Sequence, residues 1–277
     1  MTHSPNTRSR MAGQTLDRTV TDNRVVVRTA LVVFAVGQAV ASVLVSVFGG
    51  AFTTADRPGE PLIVPPGPAF SIWSVIIAIS IAYSIWAWPR RQPDLEIRNR
   101  LATPLLMVTV GFSLWLVGAE LEPVWTTLVV FVGLFGSLLW ALKIARQSRL
   151  QIAQWSLLGR SLLWGTLGLY TGWTSIAIWL NLATAMAGSG APLTGTAGTV
   201  GQLGILLGAT ATAVVILRYT GGLAPYGAAS AWGLGGAALG AYLAGSYLLA
   251  AVGAAGLTVV LVGFGAERLR RRGAAEA

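Results

Sequence analysis

The chain has 277 residues, of which 54% are apolar and 10% charged, where a soluble globular domain carries about 25% charged residues. It contains no Cys, and its one His is His3 in a polar terminal segment, so no metal site, haem axial ligand, thiolate nucleophile or disulfide built on those residues is expected. The formal charge of +9 points to nucleic acid only where a folded soluble surface exists to carry it, and the apolar blocks leave none.

In chain order, residues 1–24 are polar and rich in Ser, Thr and Arg. They are too long and mixed for a signal-peptide n-region and read as a disordered cytoplasmic tail before an uncleaved anchor, with Met11 as an alternative start. Apolar windows long enough to cross a ~30 Å hydrocarbon core follow at 25–48, 69–88, 101–118, 123–142, 161–184, 199–217, 223–242 and 244–264. They do not alternate polar and apolar residues, so they predict helices rather than barrel strands. The fold class is therefore all-α, a polytopic integral membrane protein with eight spans.

Eighteen of the 19 Lys and Arg residues lie in the N-terminal segment, the second, fourth and sixth loops and the C-terminal tail; the other loops hold Arg57 alone. The positive-inside rule puts both termini in the cytoplasm, as an even span count also requires. The basic runs serve topology first and contact with anionic lipid second. One Lys against eighteen Arg, with much Ala and Gly, suits a GC-rich bacterium and hence its inner membrane.

All ten acidic residues fall in tails or loops, so the intramembrane carboxylate typical of ion-coupled carriers is missing. Pro104, Pro123 and Pro225 read as lying near helix starts, and no span is expected to break at mid-membrane. Gly236 and Gly240 show the small-xxx-small spacing that lets helices approach closely. A homodimer contact and packing within one chain both remain open.

Interfacial belts account for Trp86, Trp88 and Trp140 at cytoplasmic span ends, with Trp155 in the fourth loop. Trp73, Trp115, Trp125 and Trp179 fall in the outer half of four different spans. In span five, Tyr170, Trp173, Ala177 and Asn181 share one stripe about 80° wide, with Trp179 on the opposite face. Near mid-depth, lipid offers the Tyr170 O–H and Trp173 N–H nothing, so the stripe faces protein or ligand. The first loop, 49–68, carries Pro58, Pro61, Pro65, Pro66 and Pro68 and leads into Phe70 and Trp73. It reads as a stiff lid or a rigid connector.

The run Pro65-Pro66-Gly67-Pro68-Ala69-Phe70-Ser71-Ile72-Trp73 and the span-five pattern Tyr170-x-Gly-Trp173-x-x-x-Ala177-x-x-x-Asn181 resemble the tryptophan-rich sensory protein family, the bacterial relatives of the mitochondrial translocator protein. Gly111-Phe112-Ser113-Leu114-Trp115 looks like a degraded form of a third family segment. The resemblance covers roughly residues 26–187. It implies a five-helix bundle that binds tetrapyrroles such as protoporphyrin, or other lipophiles, beneath the loop between spans one and two. By that resemblance Pro65, Pro66, Phe70 and Trp73 form the lid and upper wall, Trp115 a side wall, and Tyr170, Trp173, Ala177 and Asn181 the floor. The chain departs from the family pattern in its Phe-to-Trp spacing of three, in Ile77 where an aromatic is expected, and in lacking an Asn before Trp115.

The domain reading is then a tail at 1–24, a five-helix bundle at 25–187, an extracytoplasmic loop at 188–198, a three-helix extension at 199–266 and a basic cytoplasmic tail at 267–277. The expected function is a receptor or sensor for a hydrophobic ligand, with membrane lipid as the other partner and no nucleic acid or cofactor. A metal-free tetrapyrrole suits the residues better than haem, because Trp faces can stack on the macrocycle while no axial ligand is available. An uncoupled permease for a lipophile is the alternative. No enzyme is expected, porphyrin photodegradation being a remote exception without an acid–base pair.

Overall fold

The computed structural model describes residues 5–48, 59–121 and 125–276, with side chains described over 23–48, 59–121 and 125–273. His3, Pro58 and Pro123 lie outside the described residues. The helices are α1 (Pro5–Phe48), α2 (Ile72–Ala87), α3 (Leu95–Leu121), α4 (Thr126–Gln147), the short α5 (Arg149–Ala153), α6 (Leu157–Gly188), α7 (Gly195–Thr220), α8 (Ala224–Leu243) and α9 (Tyr247–Glu276). Among the described residues there is no strand. Each of the eight apolar windows falls on one of the eight long helices.

Six segments, in α1, α3, α4, α7, α9 and the stretch Gly67–Ala87 ending with α2, are long and apolar enough to cross a membrane. That makes the chain a polytopic integral membrane protein. The two remaining long helices, α6 and α8, are the most enclosed by protein. A helix surrounded by other helices gains nothing from a lipid-matching surface, so it tolerates Thr, Ser and Gly. In α6 Thr174 donates to the Tyr170 carbonyl at 2.8 Å and Ser175 to that of Gly172 at 2.8 Å, Thr166 donates to the Ile79 carbonyl of α2, and the buried Thr171 hydroxyl has no partner among the described residues.

The packing forms two closed rings that share one helix. In the first, α1 packs on α2, α2 on α6, α6 on α4, α4 on α3, and α3 back on α1. In the second, α6 packs on α7, α7 on α9, α9 on α8, and α8 back on α6. The α6–α8 approach rests on Gly168 and Gly172, four residues apart. A Cβ on Gly172 would lie 2.5 Å from the Tyr226 carbonyl oxygen, and one on Gly168 would lie 2.7 Å from Pro225 Cβ. The small-xxx-small contact between helices is thus in span five. Gly236 and Gly240, expected to serve it, instead receive the loop between α1 and α2.

Sequence boundaries fell short: α1 begins at Pro5, inside the stretch 1–24 read as a disordered tail. Helix α3 begins at Leu95 rather than Leu101, so Pro104 lies inside it and not near its start, and the helix runs through. The reason is local: Arg98 folds back to donate to the carbonyls of Ala87, Pro89, Gln92 and Pro93, fixing the α2–α3 turn. Helix α6 begins at Leu157 because the Ser156 side chain caps it, accepting from the Gly159 amide at 3.1 Å. Two of the Trp residues assigned to a belt are core residues. Trp86 packs on Gly159 and stacks on Trp155 at 5.2 Å, and the Trp155 indole donates to Asp94. Trp88 and Trp140 stay exposed.

Candidate functional site

The outer approach to the first ring is governed by the strap, residues 59–71. Pro66 is extended at φ −64° and ψ 155°, and a 3-10 turn, Gly67–Ser71, follows with the Ala69 amide donating to Pro66 at 2.8 Å. Proline fixes φ along this stretch, which lets a chain lacking regular structure hold one shape. The strap is seated on α8. A Cβ on Gly240 would lie 2.0 Å from the Val64 carbonyl oxygen, one on Gly236 would lie 3.1 Å from Pro65 Cβ, and the Trp232 indole donates to the Ala69 carbonyl at 2.8 Å. Ile63 beneath it is fully buried.

From the strap the chain turns into α2, which carries Trp73 to the centre of an aromatic cluster. Its ring lies 4.7 Å from Phe112 and 5.8 Å from Trp115, both on α3, and 5.6 Å from Tyr170 and 6.1 Å from Trp173, both on α6. Phe70 of the strap meets Trp173 edge-on at 5.8 Å, and Phe131 of α4 meets Trp115 at 5.4 Å. Four helices and the strap therefore donate rings to one place. Most contacts are T-shaped, the arrangement the ring quadrupoles favour.

The polar tips divide into satisfied and unsatisfied groups. The Tyr170 hydroxyl accepts from Gln38 Nε2 of α1 at 2.7 Å, and Ser80 of α2 donates to Gln38 Oε1 at 3.3 Å. The Trp115 indole donates to Asn181 Oδ1 at 3.1 Å, while Asn181 Nδ2 donates back to the Ala177 carbonyl at 2.9 Å. Trp73 and Trp173, in contrast, each hold a buried indole N–H with no acceptor. A buried donor left unpaired costs about 1–3 kcal/mol. Two of them, on rings 6.1 Å apart, mark a spot where the protein lacks an acceptor.

The rings are in contact with one another. A flat macrocycle between two aromatic faces needs roughly 7 Å between their planes, which the Trp73–Trp173 pair, crossed at 81°, does not offer. A void of about 10 Å³ lies below, lined by Leu31, Ser80, Tyr83 and Tyr170 among others, and has room for about one water. A second, of about 80 Å³, lies between Pro61, the end of α6 and the start of α7, with Gln202 on its wall. Neither void has room for a large planar molecule as the rings and strap now stand.

Of the residues expected in the site, Phe70, Trp73, Trp115, Tyr170, Trp173 and Ala177 belong to one buried cluster, and Asn181 joins it through Trp115. Pro65 is packed on α8 and Pro66 closes the 3-10 turn. Trp179 faces away, donating to Thr212 of α7 at 3.0 Å, and the exposed Trp125 donates to Ser189 at 3.0 Å. Phe112, Phe131, Gln38 and Trp232 were missed. Phe112 lies three residues before Trp115 on the same helix face, and Gln38 is the lone amide of its span, so both had a signal. Trp232 had none. Among the described residues no group of three or more His, Cys, Asp or Glu is placed to hold a metal.

In comparison with known families, the model described as TSPO-like protein matches residues 24–264. The match extends beyond the first ring through α7, α8 and most of α9. No curated protein and no solved structure matches the chain.

Proposed function

The chain belongs to the TSPO-like family, and from that premise we propose that this integral membrane protein is a sensor-type receptor for a flat hydrophobic ligand, a metal-free tetrapyrrole foremost. The proposal includes eight spans with both termini in the cytoplasm of a bacterium, as the charge asymmetry of the loops requires. The strap then lies on the extracytoplasmic side. Its role is binding, with no turnover assigned.

One observation carries this reading: Trp73 and Trp173 converge from two helices with buried indole N–H groups that no atom of the described residues accepts. A ligand that presents an oxygen or nitrogen acceptor beside an aromatic face supplies what both lack. On binding, Phe70 and the strap lift, the indole faces stack on the macrocycle, and the two donors find acceptors. Tyr170 and Trp115 stay fixed, because Gln38 and Asn181 already hold them. The binding free energy then comes from aromatic contact, about 0.5–1.5 kcal/mol per ring beyond area, and from pairing two donors that were unpaired.

The test is a titration of the purified protein with protoporphyrin IX, read by the porphyrin Soret band. Trp173→Phe keeps an aromatic face but removes the N–H and part of the ring, so affinity should fall by at least about 2- to 12-fold, the range for one hydrogen bond. Thermal unfolding of the free variant separates this effect from packing, because the smaller ring leaves a cavity whose cost is only partly offset by removing an unpaired donor. Equal affinity in both proteins contradicts the assignment. Flux of the porphyrin across proteoliposomes tests the permease alternative, because a receptor gives none.

A further inference from the structure

We propose that the cytoplasmic ends of α1, α2 and α3 form a binding site for a phosphate-bearing anion, the headgroup of an anionic phospholipid in the inner leaflet, with Arg28 as its principal ligand. This is independent of the reading of the aromatic cluster.

The buried face of α1 runs Arg28, Leu31, Ala35, Gln38 at helical spacing. Arg28 is 4% exposed, yet its Nε and Nη1 have no hydrogen-bond partner. The charged groups acting on it are Arg90 and Arg98, both cations. Among the described residues the neighbouring carboxylates act on other groups, Asp94 on Arg98 included. Glu96 pairs with Arg24, and Asp94 accepts from the Trp155 indole. Arg98 uses its own donors on the carbonyls of the α2–α3 turn. The Tyr83 hydroxyl, which feels the Arg98 charge, is likewise buried and unpaired.

A guanidinium held out of water with no counter-charge beside it among the described residues is unfavourable, and the repulsion from Arg90 and Arg98 adds to the need for an anion. A phosphate answers it with oxygens for Arg28 and a charge that Arg90 and Arg98 stabilise. The location favours a lipid source. Trp88, next to the site, is 49% exposed, and its indole donates to Thr29 of α1 at 3.1 Å. An exposed Trp marks headgroup depth, and basic pockets between helices on the cytoplasmic side suit anionic headgroups.

The full chain, delipidated in a zwitterionic detergent, is titrated with short-chain phosphatidylglycerol, with phosphatidylcholine and with inorganic phosphate, and thermal unfolding is followed. Phosphatidylglycerol should raise the Tm of the native chain and phosphatidylcholine should not. Arg28→Gln should weaken the phosphatidylglycerol response by roughly 30-fold or more, the scale for removing one charged partner of a buried pair. Arg28→Lys should keep part of it. Without lipid, Arg28→Gln should be as stable as the native chain or more so, because it deletes an uncompensated charge. If inorganic phosphate gives the same stabilisation, lost with Arg28→Gln, the site takes the free anion and the phosphate assignment stands. The proposal is overturned if phosphatidylglycerol acts equally on the native chain and Arg28→Gln, or if Arg28→Gln is destabilised by the same amount in every condition, as a purely structural arginine requires.

Discussion

Gly240→Ala places a methyl carbon 2.0 Å from the Val64 carbonyl oxygen, a separation that forces the strap away from α8. The shift breaks the bond from the Trp232 indole to the Ala69 carbonyl, a contribution of about 1 kcal/mol. It also uncovers Ile63, now fully buried, at about 1.5–3 kcal/mol if exposure is complete. Together these weaken strap closure by about 2.5–4 kcal/mol, or roughly 60- to 700-fold in the open population at 1.4 kcal/mol per decade. The chain has no Cys, so Ile63→Cys introduces a single thiol whose reaction with a water-soluble maleimide reports opening. Labelling should be at least about tenfold faster when Gly240→Ala is added. Gly235→Ala, where a Cβ meets only Leu257 at 3.7 Å, is the control and should leave the rate unchanged. Equal rates in the Gly240→Ala and control backgrounds would refute the idea that α8 holds the strap.

Gln38→Leu leaves the buried Tyr170 hydroxyl without its partner and should cost about 1–3 kcal/mol in thermal unfolding; adding Tyr170→Phe should recover much of that loss, and simple additivity of the two changes counts against the pair. Gly172→Leu drives a side chain into the Tyr226 carbonyl, 2.5 Å from the first added carbon. It should abolish a monodisperse folded protein on size-exclusion chromatography, since α6 belongs to both rings, whereas Gly136→Leu on α4, with open space around it, should elute as the native chain does.

Legibility in the sequence followed what each feature depends on. The long helices were readable because crossing hydrocarbon demands a run of apolar residues; α6 and α8 were readable as helices too, although neither is among the six segments long and apolar enough to cross a membrane. The stripe Tyr170, Trp173, Ala177, Asn181 was readable because 100° per residue fixes a face, and the model puts Tyr170, Trp173 and Ala177 in one cluster. The mate of that face was not readable. Gln38 reaches Tyr170 across 132 residues and Trp232 reaches Ala69 across 163, and no local pattern encodes such distances. The glycine spacing was read on the wrong element for the same reason. Gly236 and Gly240 announce a close approach but do not say that an extended strap, rather than a helix, makes it. Belt and core Trp look alike in one dimension, so Trp86 and Trp155 were set beside Trp88 and Trp140 although only the latter pair is exposed.

Most direct for the central claim is a structure of the protein with protoporphyrin IX bound. The account predicts the macrocycle beneath a lifted strap, against the faces of Trp73 and Trp173 and with both indole N–H groups within hydrogen-bond distance of an acceptor on it. A porphyrin found on the lipid-facing surface, with Phe70 still edge-on to Trp173 and the ring cluster unchanged, contradicts it.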